Sequence, residues 1–365
     1  MIQSKKLEKK RYLFYVMAAV MAFSACKKNN DDDDEKNTST NQITMTVDVV
    51  KEDIWLFYVA GTGKITIDWG DGTKAETSDL FSDIYRTKTH HQYQSNGSYT
   101  ITIIGDITYF RANGHESNGS KLTNLDVSKN TVLTELHCNS NKLTSLDVSK
   151  NTKLEVLSYS NYGSGGENEL TNLDVSNCTA LRSLACSFIG LTNLDVSKNI
   201  ALEGLECYAN KLTTLDVSKN TALKGLDCNW NQLTNLDVSK NTALGILWCS
   251  ANQLTNLDIN KNTALTWLCC DANQLNGLDV SKNTALESLM CGGNELTSLD
   301  VSNNTRLIIL GCNRNQLTDI ALNALFETLH SNDTIGEKNI YINENTGTYS
   351  CDRTIAEKKG WKVLY

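Results

Sequence analysis

Cysteines recur at one place in successive segments of the chain, 21 residues apart in most of them, and regularly spaced thiols suggest disulfide or metal chemistry. Eight of the 12 cysteines form this column, with Tyr159 replacing one member: Cys138, Cys186, Cys207, Cys228, Cys249, Cys270, Cys291 and Cys312. Neighbouring strands lie about 4.8 Å apart, but their side chains run parallel, which disfavours disulfide bonds. A straight column also does not converge on one zinc ion. We therefore predict free, buried thiols that act as small hydrophobic side chains, with no metal and no cofactor.

Aromatic, apolar and acidic side chains occupy variable positions beside these cysteines. Because side chains alternate along a strand, these positions face outward where the neighbouring Leu and Cys face inward. The candidates are Glu206, Tyr208, Asp227, Ile246, Trp248, Trp267, Asp271 and Met290, with Trp230 at the rim. Exposed apolar patches mark interaction sites, and Trp and Tyr dominate binding hot spots. We predict a ligand-binding surface here and an exposed thiol at Cys269; the alternative is that the rings pack on one another or under the C-terminal cap.

Catalytic residues do not accompany these candidates, and we predict that the protein is not an enzyme. An active site needs a nucleophile with a base, a carboxylate pair in a cleft, or a metal cluster. The histidines are scattered, without metal-ligand spacing, at His90, His91, His115, His137 and His330. Calcium at Asp68 and Asp71, or along a column of Asp residues in the repeats, is an alternative to structural roles for these carboxylates.

The elements that must position the candidates are sequence repeats. They begin at Leu122, Leu143, Leu170, Leu191, Leu212, Leu233, Leu254, Leu275 and Leu296, and the second is 27 residues long instead of 21. Residues 244–254 read LxxLxCxxNxL, the leucine-rich-repeat pattern with Cys in one Leu position. Each unit buries its leucines only against its neighbours.

Two further columns of the repeats predict structural roles. An asparagine column is expected to bond the backbone of adjacent coils; it comprises Asn141, Asn210, Asn231, Asn252, Asn273, Asn294 and Asn315, with Asn168 and Ile189 in the two irregular units. The Asp of the constant LDVSKNT segment is expected to accept backbone hydrogen bonds in a turn.

Repeats of 21 residues with a cysteine column resemble the cysteine-ladder members of the internalin family of leucine-rich-repeat proteins. The resemblance covers Leu122 to Gln316 and implies a leucine-rich-repeat solenoid with a parallel β-sheet over residues 111–316. Helical spacing after Gln316 and a strand at residues 339–343 indicate a C-terminal cap over residues 317–365. The family members are bacterial surface adhesins, so the resemblance implies binding of a protein or glycoconjugate and transfers no particular ligand.

Residues 42–110 predict a small β-sandwich before the repeats. Strand-like runs at Ile54–Val59, Lys64–Trp69 and Tyr99–Ile104 are separated by glycine-containing turns. The segments DWGDGT (68–73), HQY (91–93) and GSYTITI (97–103) resemble the PKD domain, an Ig-like sandwich. That resemblance implies a turn at the glycines and packing roles for His91 and Tyr93.

The N-terminal segment predicts a lipid anchor. Residues 1–25 join a basic stretch to a short apolar stretch, which is typical of a signal peptide, and the sequence before Cys26 resembles the lipobox of bacterial lipoproteins. Residues 26–41 form an acidic, polar tether, and this acidic run resembles the surface-export signal of Bacteroidetes lipoproteins. We predict lipid attachment at Cys26 in the outer membrane, at the cell surface, with contact to the membrane only through the lipid.

The function predicted from these features is adhesin-like ligand binding by a surface lipoprotein. Its partner would be a host or bacterial surface protein, a glycoprotein or a glycan. The net charge of −8 argues against nucleic acid, whose phosphates require a basic face. The alternatives are a glycan-capture protein for nutrient uptake and a structural envelope protein without a specific ligand.

Overall fold

The computed structural model describes residues 40–51, 54–82, 88–114, 120–161, 170, 172–332 and 336–365. The predicted signal peptide, Cys26, most of the tether and Asn168 lie outside the described residues. Within the described part of the chain, no helix is long and apolar enough to cross a membrane.

Six strands form an N-terminal β region: β1 (Gln42–Val49), β2 (Ile54–Asp68), β3 (Glu76–Asp79), β4 (Lys88–Gln92), β5 (Gly97–Arg111) and β6 (Lys121–Asp126). Strand β1 pairs antiparallel with β5 and β6, and β2 pairs antiparallel with β3, β4 and β5. Strand β1 has one face in the core, because the alternating residues Ile43, Met45 and Val47 are buried. The Ig-like and PKD assignments of this region remain predictions.

Strand β2 differs from its prediction, since one strand replaces two runs separated by a turn. The β2–β5 register shifts around Gly61, so the glycine lies at a β-bulge instead of a hairpin turn. A Cβ at Gly61 would overlap the carbonyl group of Asp106, so only glycine allows the two backbones to approach this closely.

The predicted leucine-rich-repeat solenoid is confirmed, with one three-residue strand in each repeat. The strands are β7 (Glu135–His137), β8 (Val156–Ser158), β9 (Ser183–Ala185), β10 (Gly204–Glu206), β11 (Gly225–Asp227), β12 (Ile246–Trp248), β13 (Trp267–Cys269), β14 (Ser288–Met290) and β15 (Ile309–Gly311). All pair in parallel and in register. The end of β5 pairs in parallel with β7, so the N-terminal β region continues directly into the solenoid sheet.

The cysteine column is free and buried, as predicted. Tyr159, its one substitute, is also buried and donates its hydroxyl hydrogen bond to the Leu143 carbonyl at 2.8 Å. Cys178 lies outside the column, at a position where most other repeats have asparagine. Its Sγ donates to the Val148 carbonyl of the preceding coil at 3.5 Å. This bond replaces one of those that an asparagine side chain makes at the same position in the other repeats.

Two asparagine ladders connect adjacent coils through buried amides. In the predicted ladder, Asn252 Nδ2 donates to the carbonyls of Cys228 and Cys249 at 3.0 and 3.1 Å, and its Oδ1 accepts the Leu233 N–H at 3.0 Å. A second ladder, not predicted, uses the asparagine of the LDVSKNT segment: Asn241 Nδ2 donates to Val217 O at 3.0 Å. These bonds satisfy backbone groups that the irregular coil backbone leaves unpaired.

The predicted role of the Asp column is also confirmed. In each turn the Asp Oδ1 accepts the N–H two residues ahead, as Asp237 accepts Ser239 at 2.8 Å. The first of these, at Asp126, has the same geometry although its segment forms β6.

The C-terminal cap contains helices α1 (Asp319–Thr328) and α2 (Thr354–Glu357) and strands β16 (Lys338–Tyr341) and β17 (Trp361–Leu364). Both strands extend the parallel sheet. Trp361 is buried and donates its indole N–H to the His330 carbonyl at 2.9 Å, closing the end of the apolar core. That core is continuous from Ile43 in β1 to Trp361 in β17.

Candidate functional site

The strands of the solenoid bring six predicted or neighbouring residues together on the concave face. We call Ile246, Trp248, Trp267, Cys269, Met290 and Ile309 the concave apolar cluster; it is separate from the main core. The rings of Trp248 and Trp267 pack edge to face with centroids 6.3 Å apart. The cluster exists because strands β12 to β15 present large apolar side chains at neighbouring register positions.

The prediction that these side chains are exposed together is wrong for half of the cluster. Trp248, Cys269 and Met290 are buried, whereas Ile246, Trp267 and Ile309 remain partly exposed. The reason is that a large side chain lies opposite a small residue on the neighbouring strand and folds over it. Met290 lies over Gly311, and Trp248 lies next to the small Cys269. The rings therefore pack on one another, and the predicted exposed thiol at Cys269 is not found.

Glu206 and Asp227 lie side by side on strands β10 and β11, and both are buried, contrary to their prediction as exposed flanking groups. Two causes raise the pKa of Glu206 to about 8: burial, which is the larger, and the nearby Asp227 carboxyl. Among the described residues, the Glu206 Oε2 atom has no hydrogen-bond partner. Asp227 Oδ1 accepts the Asn229 N–H at 3.1 Å. The pair forms an acidic floor on the concave face.

Asp271 has a structural contact in this structure. Its Oδ1 accepts the Gly292 N–H of the next coil at 2.7 Å, and burial raises its pKa to about 6. The equivalent position in other coils makes the same kind of bond, as Asn229 Oδ1 does with Ser250 N at 2.5 Å. This position links coils in addition to any contact it makes with a ligand.

Two aromatic side chains at the edge of the sheet are strongly exposed, and we call Phe188 and Trp230 the rim aromatics. Their exposed fractions are 49% and 64%. Both have left-handed backbone, with φ of 59° and 55°. Tyr208, predicted to be exposed, is buried and packs edge-on against Phe188 with ring centroids 4.9 Å apart.

Phe188 was missed by the sequence analysis because the asparagine that normally follows this position is Ile189 in this repeat. The signal that identifies it is the position shared with Trp230, directly before the asparagine column.

The outward strand positions of the nine repeats carry acidic, apolar and small polar side chains and His137, and none of them is lysine or arginine. Their acids are Glu135, Glu206, Asp227 and Asp271. Arg182 and Lys224 lie one position before their strands, and both pair with Glu203, at 2.6 and 2.7 Å. In the described part of the chain, no group of three or more His, Cys, Asp or Glu side chains is placed to hold a metal ion.

The turn in the N-terminal β region has the structural role predicted for it. Asp71 Oδ1 accepts from Thr73 N, and its Oδ2 contacts His91 Nε2 at 2.7 Å. Burial raises the pKa of Asp71, but the bonds from Thr73 and His91 outweigh it and lower the pKa to about 2. His91 also stacks on Trp69. Asp68 Oδ1 accepts the Gly70 N–H at 2.9 Å, so both carboxylates proposed as alternative calcium ligands bond the backbone of the turn.

Comparison with known proteins supports the fold assignment. No family model matches the chain, and no curated protein sequence matches it. The functional domain of InlJ from Listeria monocytogenes, described as including a cysteine ladder, is similar with a TM-score of 0.54 and 31% identity. That match covers 75% of this chain and 62% of the InlJ chain, so this chain spans less than two thirds of its length.

Two other bacterial structures are more distant. A leucine-rich-repeat protein from Leptospira interrogans has a TM-score of 0.48 and 20% identity over 66% of this chain and 74% of its own. The internalin InlF from Listeria monocytogenes has a TM-score of 0.46 and 20% identity over 71% of this chain and 86% of its own. The parallel sheet, the free cysteine column and the similarity to InlJ lead to one conclusion: the chain is a leucine-rich-repeat solenoid with a cysteine ladder.

Proposed function

We propose that this chain is a lipid-anchored surface protein that binds a protein ligand through the concave face of its solenoid. The observation that carries the proposal is the concave apolar cluster, which lies outside the main core. A folded coil needs no aromatic side chain at these positions, because Ser, Ala or Gly occupies them in other repeats. Apolar residues retained on a surface in this way are typical of interaction sites.

Three members of the cluster provide the contact surface. Ile246, Trp267 and Ile309 are partly exposed, and Trp267 packs against Trp248, which fixes its ring. A large ring held in place loses little conformational entropy on binding and therefore suits a hot spot. The buried members support this surface from below.

The binding test compares the full-length protein with two single variants on arrays of surface proteins, glycoproteins and glycans. Trp267→Ala removes the exposed ring of the cluster; Ile320→Ala removes an equally apolar, more exposed side chain from the cap helix as the control. We expect binding to protein spots that falls at least about 10-fold in Trp267→Ala, the loss typical of a hot-spot residue, and is unchanged in Ile320→Ala. Binding that survives Trp267→Ala, or binding to glycans alone, would contradict the proposal.

The anchor is tested separately in the producing cell. We expect the full chain in the membrane fraction and accessible to external protease, and Cys26→Ser in the soluble fraction. An unchanged distribution of Cys26→Ser would rule out lipid attachment at Cys26 without affecting the binding proposal.

A further inference from the structure

One coil of the solenoid contains an Asn-Gly pair that its neighbours do not have. Asn276 and Gly277 occupy the positions that hold Thr255 and Asn256 in the preceding coil. Asparagine followed by glycine is chemically labile, because glycine has no Cβ to shield its backbone nitrogen and lets the chain bend toward the asparagine amide. Whether this pair reacts in the folded protein depends on how firmly the fold holds it.

The surroundings of Asn276 leave the reacting groups unrestrained. Asn276 and Gly277 are both exposed, and no atom beyond the adjacent residues lies within 4 Å of the place that a Cβ on Gly277 would occupy. Within the described part of the chain, neither the Asn276 amide nor the Gly277 N–H makes a hydrogen bond. Leu278, which follows, is only partly buried, whereas the equivalent Leu257 and Leu299 are 3% and 6% exposed. This segment is therefore free to rearrange.

The two other Asn-Gly pairs that the structure describes are held in place. Asn113 is 4% exposed, and its Oδ1 accepts the Asn139 N–H at 2.9 Å. The N–H of Gly114, which would have to attack, donates to the Asn139 carbonyl at 2.8 Å. In the remaining pair Asn96 is exposed, but its Oδ1 accepts the Lys51 N–H at 2.5 Å. Reaction at these pairs requires that the hydrogen bonds open first.

We propose that Asn276 is a site of self-modification, at which the folded protein converts the asparagine to aspartate or isoaspartate. The Gly277 nitrogen loses its proton to solvent and attacks the Asn276 Cγ, ammonia leaves, and a cyclic imide forms. Water then breaks one of the two bonds from the imide nitrogen to a carbonyl carbon. Breaking the bond to Cγ gives aspartate, and breaking the bond to the backbone carbonyl carbon gives isoaspartate. Water is consumed and ammonia is released.

Each conversion changes the charge of one contact region between coils. Leu275, directly before the site, donates its N–H to Asn294 Oδ1 at 3.0 Å and accepts the Glu295 N–H at 2.8 Å. The product adds a negative charge next to these bonds, and isoaspartate also lengthens the main chain there by one methylene group. This reaction is independent of ligand binding by the concave face.

The test follows the folded full-length protein during incubation at neutral and at mildly alkaline pH, with peptide mapping by mass spectrometry. We expect Asn276 to convert at least about 10-fold faster than Asn113, because an opening that costs about 1.4 kcal/mol already slows a reaction tenfold. Conversion should be faster at the higher pH, since the attacking nitrogen must lose its proton. In urea the two rates should converge, because the hydrogen bonds that protect Asn113 are lost.

Two variants restore the residues of neighbouring coils and serve as matched controls. Asn276→Thr removes the amide and should abolish conversion at this position, whereas Gly277→Asn keeps the amide, shields the nitrogen and should slow it. Circular dichroism of both variants checks that the fold is retained. An Asn276 that stays an amide in the folded chain, or that converts no faster than Asn113, would overturn the proposal. Equal rates with Gly277 and with Gly277→Asn would exclude attack by this nitrogen.

Discussion

Glu206 shows how a single residue on the concave face differs from its prediction. Sequence alternation indicates correctly that its side chain leaves the main core, but not that neighbouring coils bury it. Because its carboxyl is buried beside Asp227, its pKa rises to about 8. At neutral pH the group therefore holds a proton in the folded protein, which a carboxyl in the unfolded chain has lost.

This proton makes stability depend on pH in a direction that can be measured. Between the ordinary pKa of 4.5 and about 8, the unfolded chain loses the Glu206 proton while the folded chain keeps it, so the free energy of unfolding falls as pH rises. In Glu206→Gln the free energy of unfolding should fall less steeply with pH than in the unmodified chain, by up to about 1.4 kcal/mol per pH unit. Urea unfolding between pH 4.5 and 8 checks it, with Glu295→Gln as the control, because Glu295 is exposed and neighbouring repeats have Gln at the same position. Equal slopes in the Glu206→Gln and unmodified proteins would contradict a buried, protonated Glu206.

Cysteine reactivity is a second property determined at single residues. Burial raises the pKa of Cys249 well above its ordinary value, whereas Cys351 is partly exposed in the cap. Brief alkylation with iodoacetamide, mapped by mass spectrometry, should modify Cys351 first among the described cysteines and the ladder only after unfolding in urea. Rapid modification of Cys249 in the folded chain would show that the ladder opens to solvent.

At the scale of the repeated coil, one backbone column is left-handed wherever the structure describes it. The described residue before each ladder asparagine has φ between 52° and 63°, and glycine occurs there only once, at Gly293. A Cβ at Gly293 would meet only ordinary contacts with Ala272, so conformation alone distinguishes the two residues.

Exchanging these two residues tests the cost of the left-handed column. We expect Ala272→Gly to raise the free energy of unfolding by up to about 1 kcal/mol, because glycine adopts positive φ without strain. Gly293→Ala should lower it by a similar amount. Denaturant unfolding measures the free energy of unfolding of both variants. A destabilised Ala272→Gly would mean that the greater chain entropy of glycine in the unfolded state outweighs the relief of strain.

The coil is also the scale at which the sequence predicts best. Each strand, the Asn252 ladder and the Asp237 turn follow from letters that repeat, since a residue that fills the same role in every coil appears at the same spacing. Exposure on the concave face does not repeat. It depends on the side chain one coil away: Met290 is covered because it lies over Gly311, and Phe188 is exposed beside Ala209.

The whole molecule has one continuous core, which joins the N-terminal β region to the solenoid. Strand β5 is the connection: it pairs with β2 along one edge, and along the other edge its first half pairs with β1 and its last residues pair with β7. Phe110 lies at this junction, buried, with its ring 5.8 Å from that of Phe57 and its backbone opposite Leu136. The sequence could not predict this, because a strand shared between two units resembles the end of the first.

Shortening the Phe110 side chain at this junction should uncouple the unfolding of the β region from that of the solenoid. We expect Phe110→Ala to lower the free energy of unfolding by about 3–5 kcal/mol, the usual cost of a large cavity in a core. Calorimetry should show one transition for the unmodified chain and two for the variant, because the β region then unfolds before the coils. Leu286→Ala, a core truncation far from β5, is the control and should lower the transition without splitting it. A single, shifted transition for Phe110→Ala would contradict coupling through β5.

The asparagine ladders bond each coil only to its immediate neighbours, and this has a consequence for how the gene can change. The near-identical LDVSKNT stretches are matching sites for unequal recombination, and an exchange in register inserts or removes one complete coil with its bonding partners intact. Since each coil adds about 4.8 Å, the span between the β region and the cap would change in fixed increments. The distance between the β region and the cap thus becomes a heritable length that can vary without any new kind of contact.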